Sequence, residues 1–221
     1  MISKAFFRWS ATCVFAGAVI LAIGYLLRAD IEKENIDAFT STQGLLSSIM
    51  VAAGSLFFLF GLPALFASQN LYSSKSGIIG STLSFTGIAG FHLGTLALYF
   101  VAPVLVTDNA ATRALMYSDV PPFPRFAFFW ALTLLLQVTG LLWMGLITFR
   151  KGGKSKAASV LLMASSLVFL TAPFIYFPFI KPANTLAMAG FGLFAVSMLR
   201  SRGVTAFEPR GGQMKWQQQI V

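Results

Sequence analysis

Long apolar runs alternate with short polar segments along the whole chain. Six runs contain no lysine, arginine, aspartate or glutamate: residues 10–27, 44–67, 78–106, 126–149, 157–180 and 183–199. A helix needs roughly 20 apolar residues to cross the hydrocarbon core of a bilayer, with a range of about 17–25. Because each run reaches the lower limit, the pattern predicts an all-α, polytopic membrane protein with six transmembrane helices.

The segments between these runs are short, so they leave no room for a separate soluble domain. Only Lys181 and Pro182 separate the fifth run from the sixth. The sequence therefore predicts one six-helix transmembrane bundle over residues 1–199, followed by a basic tail over residues 200–221.

The composition agrees with a membrane protein. Hydrophobic residues make up 57% of the chain and charged residues 10%, whereas soluble domains carry roughly 25% charged residues. Disordered chains are poor in apolar residues, so the same numbers exclude disorder. A single cysteine excludes a disulfide framework, and a single histidine excludes a histidine-cluster metal site, so we expect no metal.

The charged residues indicate which way the chain crosses the membrane. Segments on the same side of the membrane as the amino terminus carry eleven lysines and arginines and one acidic residue. The segments on the opposite side carry five lysines and arginines and six acidic residues. Short cytoplasmic loops are enriched in lysine and arginine, so we expect both termini in the cytoplasm. Because topology explains the net charge of +9, we expect no nucleic-acid partner.

The loop between the fourth and fifth runs concentrates four of these cations: Arg150, Lys151, Lys154 and Lys156. Basic residues next to a transmembrane helix attract anionic lipids. We therefore expect membrane lipids as partners, with anionic headgroups contacting this loop.

His92 is the candidate for chemistry, because an ionisable residue at membrane depth is a functional hypothesis by default. It lies about midway along the third run, close to Gly87, Gly90 and Gly94. Small residues allow close helix packing, so these glycines predict a helix-packing face and a central position for the third helix.

Two roles for His92 follow from its chemistry. In the first it ligates a haem or chlorin, or relays protons. In the second it is a neutral imidazole that hydrogen-bonds to a neighbouring helix. Polar residues of the fourth and fifth runs are the expected partners: Gln137, Thr139, Ser165, Ser166 and Thr171.

The absence of acidic residues from all six runs excludes several functions. Ion-coupled transporters, proton pumps and voltage sensors place charge within the membrane. A lipid transferase would need carboxylates that bind Mg²⁺ near the cytoplasmic face, and only Glu208 is available there. The sequence therefore predicts a protein without enzymatic activity.

The pattern also resembles a group of known proteins. The features are a basic amino terminus, the sequence Gly24-Tyr25-Leu26-Leu27, the sequence Phe100-Val101-Ala102-Pro103, and a fourth run containing Gly140-Leu141-Leu142-Trp143-Met144-Gly145. Together they are similar to uncharacterised six-helix integral membrane proteins of bacteria. The resemblance implies a fold and a location in the bacterial cytoplasmic membrane, and it implies no activity.

Three functions remain. The chain is predicted to be an accessory or structural subunit of a larger membrane complex, with partner subunits or a second copy of itself and no cofactor. A second interpretation is a small transporter or channel for an apolar or uncharged solute, with a polar cavity near His92, Gln137, Thr139 and Thr171. A third is a subunit that holds a haem or chlorin through His92.

Overall fold

A computed structural model describes residues 4–27, 41–69, 71–108, 124–150, 156–175 and 180–200, which are helical almost throughout. The helices are α1 (Lys4–Leu27), α2 (Thr42–Ser68), α3 (Lys75–Asp108), α4 (Pro124–Arg150), α5 (Lys156–Ile175) and α6 (Ile180–Arg200), with a short 3₁₀ helix at Leu71–Ser73. The described part of the chain is therefore all-α, which confirms that part of the prediction.

Four of the described helices are long and apolar enough to cross a membrane. Their apolar stretches are Ala5–Leu27, Thr42–Ser68, Phe128–Arg150 and Lys181–Arg200. In α5 the apolar stretch is shorter, covering Lys156–Thr171. Length and composition thus support a membrane protein built from α-helices.

The boundary before the last helix differs from the one that the sequence predicts. The predicted break lay at Lys181 and Pro182, but α6 begins at Ile180 and includes both residues in its first turn. Proline is tolerated there because the amide groups of a first turn have no partner within the helix. Lys181 and Pro182 therefore belong to the first turn of α6, and they do not form the link between two helices.

The six helices form a closed ring. Each helix packs against its neighbours in the chain, and α6 packs against α1. The most extensive contacts join α1 to α2 and α3 to α4. The helix α3, which we expected at the centre of the bundle, is instead one member of this ring.

Small residues spaced seven apart bring α1 and α2 together. On α1 they are Ser10, Gly17 and Gly24, and on α2 they are Ser47, Gly54 and Gly61. A Cβ atom on Gly61 would lie 2.5 Å from the Ser10 carbonyl oxygen, and one on Gly17 would lie 2.9 Å from that of Gly54. The third pair of small residues is Gly24 and Ser47, where the Ser47 hydroxyl donates to the Gly24 carbonyl at 2.9 Å. The two helices therefore run antiparallel with their backbones in close contact.

The helices α3 and α4 also meet through small residues. A Cβ atom on Gly87 would collide with the backbone of Gln137, and one on Gly140 would collide with the backbone of Ser84. A Cβ atom on Gly90 would collide with the methyl group of Thr133. One on Gly94 would lie in ordinary contact, 3.5 Å from the Trp130 ring. The three glycines predicted to pack helices thus all face α4, and Gly87 is at the closest approach.

Buried hydroxyl groups connect the remaining neighbours. The Ser165 hydroxyl donates to the Ala183 carbonyl at 2.8 Å, which joins α5 to α6. The Thr148 and Ser159 hydroxyls are 2.8 Å apart, which joins α4 to α5. In an apolar surrounding a polar group must find an internal partner, so these residues tie the ring together.

Candidate functional site

His92 lies in the interior of the ring, with only 1% of its surface exposed. Its Nδ1 atom is 2.9 Å from the Tyr25 hydroxyl oxygen, which comes from α1. Three aromatic rings surround it, with centroids at 5.9 Å for Phe91, 6.1 Å for Tyr25 and 6.4 Å for Phe58. The imidazole is therefore enclosed by the protein and fixed at one nitrogen.

His92 belongs to a group of seven rings, here called the central cluster. Its members are Tyr25, Phe58, Phe91, His92, Trp130, Phe169 and Phe191. Every helix of the ring contributes at least one member, and α3 contributes two. The central cluster therefore touches all six helices at one place.

Three residues connect the whole cluster: Phe91, His92 and Phe58. Phe91 contacts the rings of Trp130 at 5.5 Å and Phe169 at 6.2 Å, on α4 and α5. Next to it, His92 contacts Tyr25 and Phe58, on α1 and α2. The Phe58 ring then meets Phe191 on α6, at 4.8 Å with the rings nearly perpendicular. Aromatic pairs in edge-to-face geometry contribute about 0.5–1.5 kcal/mol beyond the area that they bury, so this chain of contacts favours the closed ring.

The hydrogen-bond partner of His92 differs from the partners that the sequence suggested. Ser165 and Ser166 are buried, but their hydroxyls donate to the carbonyls of Ala183 and Leu162. Thr171 is exposed and donates to Leu167 in its own helix. Thr139 is exposed as well. The structure therefore brings neither threonine into a buried site with His92.

The second ring nitrogen of His92, Nε2, differs from Nδ1 in its hydrogen bonding. Nε2 is buried, and none of the described residues forms a hydrogen bond with it. Because either Tyr25 or the imidazole can donate across their contact, Nε2 is an acceptor in one tautomer and a donor in the other. A buried polar atom without a partner destabilises a protein by about 1–3 kcal/mol. Nε2 is thus the ring nitrogen of His92 to which the described residues offer no hydrogen bond.

Gln137 lies at the crossing of α3 and α4. Its side chain is 1% exposed, and neither its amide nitrogen nor its amide oxygen makes a hydrogen bond within the described part of the chain. The same is true of the Ser84 hydroxyl, which is fully buried on the facing side of α3. This crossing therefore contains three polar atoms that the described residues do not satisfy.

The basic loop is described only at its two ends. Arg150 closes α4 and Lys156 opens α5, and both side chains are exposed. Lys151 and Lys154 lie outside the described residues, as does the tail at residues 201–221. Within the described ranges, no three His, Cys, Asp or Glu side chains group as metal ligands do.

Sequence reasoning missed two features of this interior. Tyr25 was treated as part of an apolar run, although a tyrosine hydroxyl inside a membrane needs a partner as much as a histidine does. The seven-residue spacing of small residues in α1 and α2 was also visible in the sequence, and it is typical of helices that pack closely at a shallow angle.

Comparison with known proteins adds no relative. No family model matches the chain, and neither the curated proteins nor the solved structures include a match.

Proposed function

We propose that the chain is a six-span integral protein of the bacterial cytoplasmic membrane with both termini in the cytoplasm. The charged residues at the two ends of the ring support this orientation. The end that holds the start of α1 carries the exposed cations Arg8, Lys75, Arg150, Lys156 and Arg200. Among the described residues, the opposite end holds two cations, Arg125 and Lys181, and the one acidic residue, Asp108. Loops rich in lysine and arginine stay in the cytoplasm.

Within this membrane the protein acts as a non-catalytic accessory or structural subunit of a larger assembly. The central cluster is the observation that carries this proposal. The interior joins all six helices through ring contacts and hydroxyl bonds, so its side chains hold the fold. Large apolar residues such as Phe60 and Phe128 instead face outward, with 67% and 72% of their surfaces exposed. Function through contact fits this arrangement, with lipids or partner helices covering the outer surface.

The mass of the particle extracted from its native membrane tests the accessory role. We expect a chain carrying an affinity tag to emerge from a mild detergent in a stoichiometric complex with other chains or with copies of itself. Light scattering, corrected for detergent, gives that mass. A particle containing one 23.9 kDa chain alone would contradict the proposal.

Haem or chlorin binding is a second candidate, and the geometry of His92 favours it. A histidine that ligates a metal typically hydrogen-bonds through its other ring nitrogen, which fixes the orientation of the ring. In His92, Nδ1 is held by Tyr25, and Nε2 has no hydrogen-bond partner among residues 4–27, 41–69, 71–108, 124–150, 156–175 and 180–200.

The visible spectrum of the same particle separates the two candidates. A haem- or chlorin-holding subunit would show an absorption band that disappears in His92→Ala and survives in Thr139→Val, whose side chain is exposed. A colourless particle of higher mass supports the accessory role alone.

A further inference from the structure

The crossing of α3 and α4 has a buried polar pair, Ser84 and Gln137, far from both ends of α4. Gln137 is the middle residue of α4, thirteen residues from Pro124 and thirteen from Arg150. At a rise of 1.5 Å per residue it is about 20 Å from either end of the helix. It therefore lies near the middle of the bilayer, where lipid and bulk water supply no hydrogen bonds.

The backbone register places Ser84 close to Gln137. A Cβ atom on Gly87 would meet the backbone of Gln137, and one on Gly140 would meet that of Ser84. Gly87 follows Ser84 by three residues, and Gly140 follows Gln137 by three. Because the helices run antiparallel here, Ser84 and Gln137 are about one helical turn apart across the crossing.

Their unpartnered atoms define the chemistry of a ligand. A carboxamide offers two donor hydrogens and an acceptor oxygen, and a hydroxyl offers one donor and an acceptor. Leaving such groups unbonded in an apolar medium is unfavourable. The described helices place no carboxylate, lysine or arginine at this depth, so nothing here would neutralise a charged molecule. A molecule that satisfies the pair must be uncharged, small, and both a donor and an acceptor.

We propose that the crossing of α3 and α4 binds such a molecule between the side chains of Ser84 and Gln137: water, or a solute of comparable size with hydroxyl or amide groups. Buried waters in proteins typically make about three hydrogen bonds to groups that have no other partner. The proposal goes beyond the accessory role and does not depend on it.

Nuclear magnetic resonance on the full chain in lipid nanodiscs tests the proposal. With glutamine labelled by ¹⁵N, the side-chain signal of Gln137 is the one that disappears in Gln137→Leu. We expect its amide protons to show a cross-peak to water. If the occupant is a solute, adding formamide replaces that cross-peak with one to the formamide protons. Amide protons with no cross-peak to either molecule would overturn the proposal.

Thermal stability gives an independent readout. If the site is occupied, Gln137→Leu removes bonds to the ligand, and we expect the Tm to fall by about 2–4 °C. The matched control is Thr139→Val, two residues further along α4 with an exposed side chain, and its Tm should not change. If the amide had no partner, leucine would relieve an unsatisfied group, and a rise in Tm would count against the ligand. Should Gln137→Leu fail to fold, the Tm of Ser84→Ala is compared with that of Thr139→Val in the same way.

Discussion

Replacing Gly87 with alanine is expected to remove most of the folded protein. The added methyl group would collide with the backbone nitrogen and Cα of Gln137, and neither atom can move without shifting α4 as a whole. Overpacking of a tight contact destabilises a protein by about 1–3 kcal/mol, and by more where the backbone is involved. Since the total stability of a domain is about 5–15 kcal/mol, this loss should be visible as low yield and early unfolding.

Two other glycines provide matched controls for Gly87→Ala. A Cβ atom on Gly94 would be in ordinary contact at 3.5 Å, and one on Gly192 would meet nothing within 4 Å. We expect Gly94→Ala to be nearly neutral. Gly192→Ala should be neutral or stabilising by up to about 1 kcal/mol, because alanine favours the helix. Unfolding by SDS in mixed micelles measures all three variants. Equal stability of Gly87→Ala and Gly94→Ala would contradict the close approach of α3 and α4.

Truncating Phe91 is expected to have the next largest effect. Its ring contacts His92, Trp130 and Phe169, so Phe91→Ala separates the α4 and α5 part of the central cluster from the rest. Loss of a buried phenylalanine destabilises a protein by about 3–5 kcal/mol. Lipid is as apolar as the protein interior, so in a membrane the lost packing contributes most of the effect. We therefore expect about 3 kcal/mol.

Phe85 provides the control for Phe91, because it is the same residue type on the same helix. It is 38% exposed, whereas Phe91 is 1% exposed. We expect Phe85→Ala to change the free energy of unfolding by less than about 1 kcal/mol. The same SDS titration compares the two variants. If both lost the same stability, the central cluster would have no special part in holding the ring.

The helices themselves could be predicted from the sequence because each comes from a long apolar run bounded by charged residues. Each of the six apolar runs falls largely within one helix, and the small residues at Gly87, Gly90 and Gly94 do face a neighbouring helix. The arrangement of the helices is a different matter. A helix that is apolar on every side carries little periodicity to show which face is buried.

The same lack of periodicity explains why the partner of His92 in the structure differs from the partners that the sequence predicts. Nothing in the sequence distinguishes the exposed Thr139 from Gln137 two residues earlier, since both stand among leucine, valine and glycine. Tyr25 is 67 residues from His92 in the chain, and only the closure of the ring places them together. A pairing of this kind depends on the fold as a whole, so local pattern could not predict it.

His92 joins α3 to α1 through its hydrogen bond with Tyr25. A double-mutant cycle with Tyr25→Phe and His92→Phe tests it most directly, because the cycle cancels the other contacts of each residue. For a hydrogen bond within a membrane we predict that the two effects on the free energy of unfolding are non-additive by about 0.5–1.5 kcal/mol. Strict additivity of the two substitutions would contradict the claim.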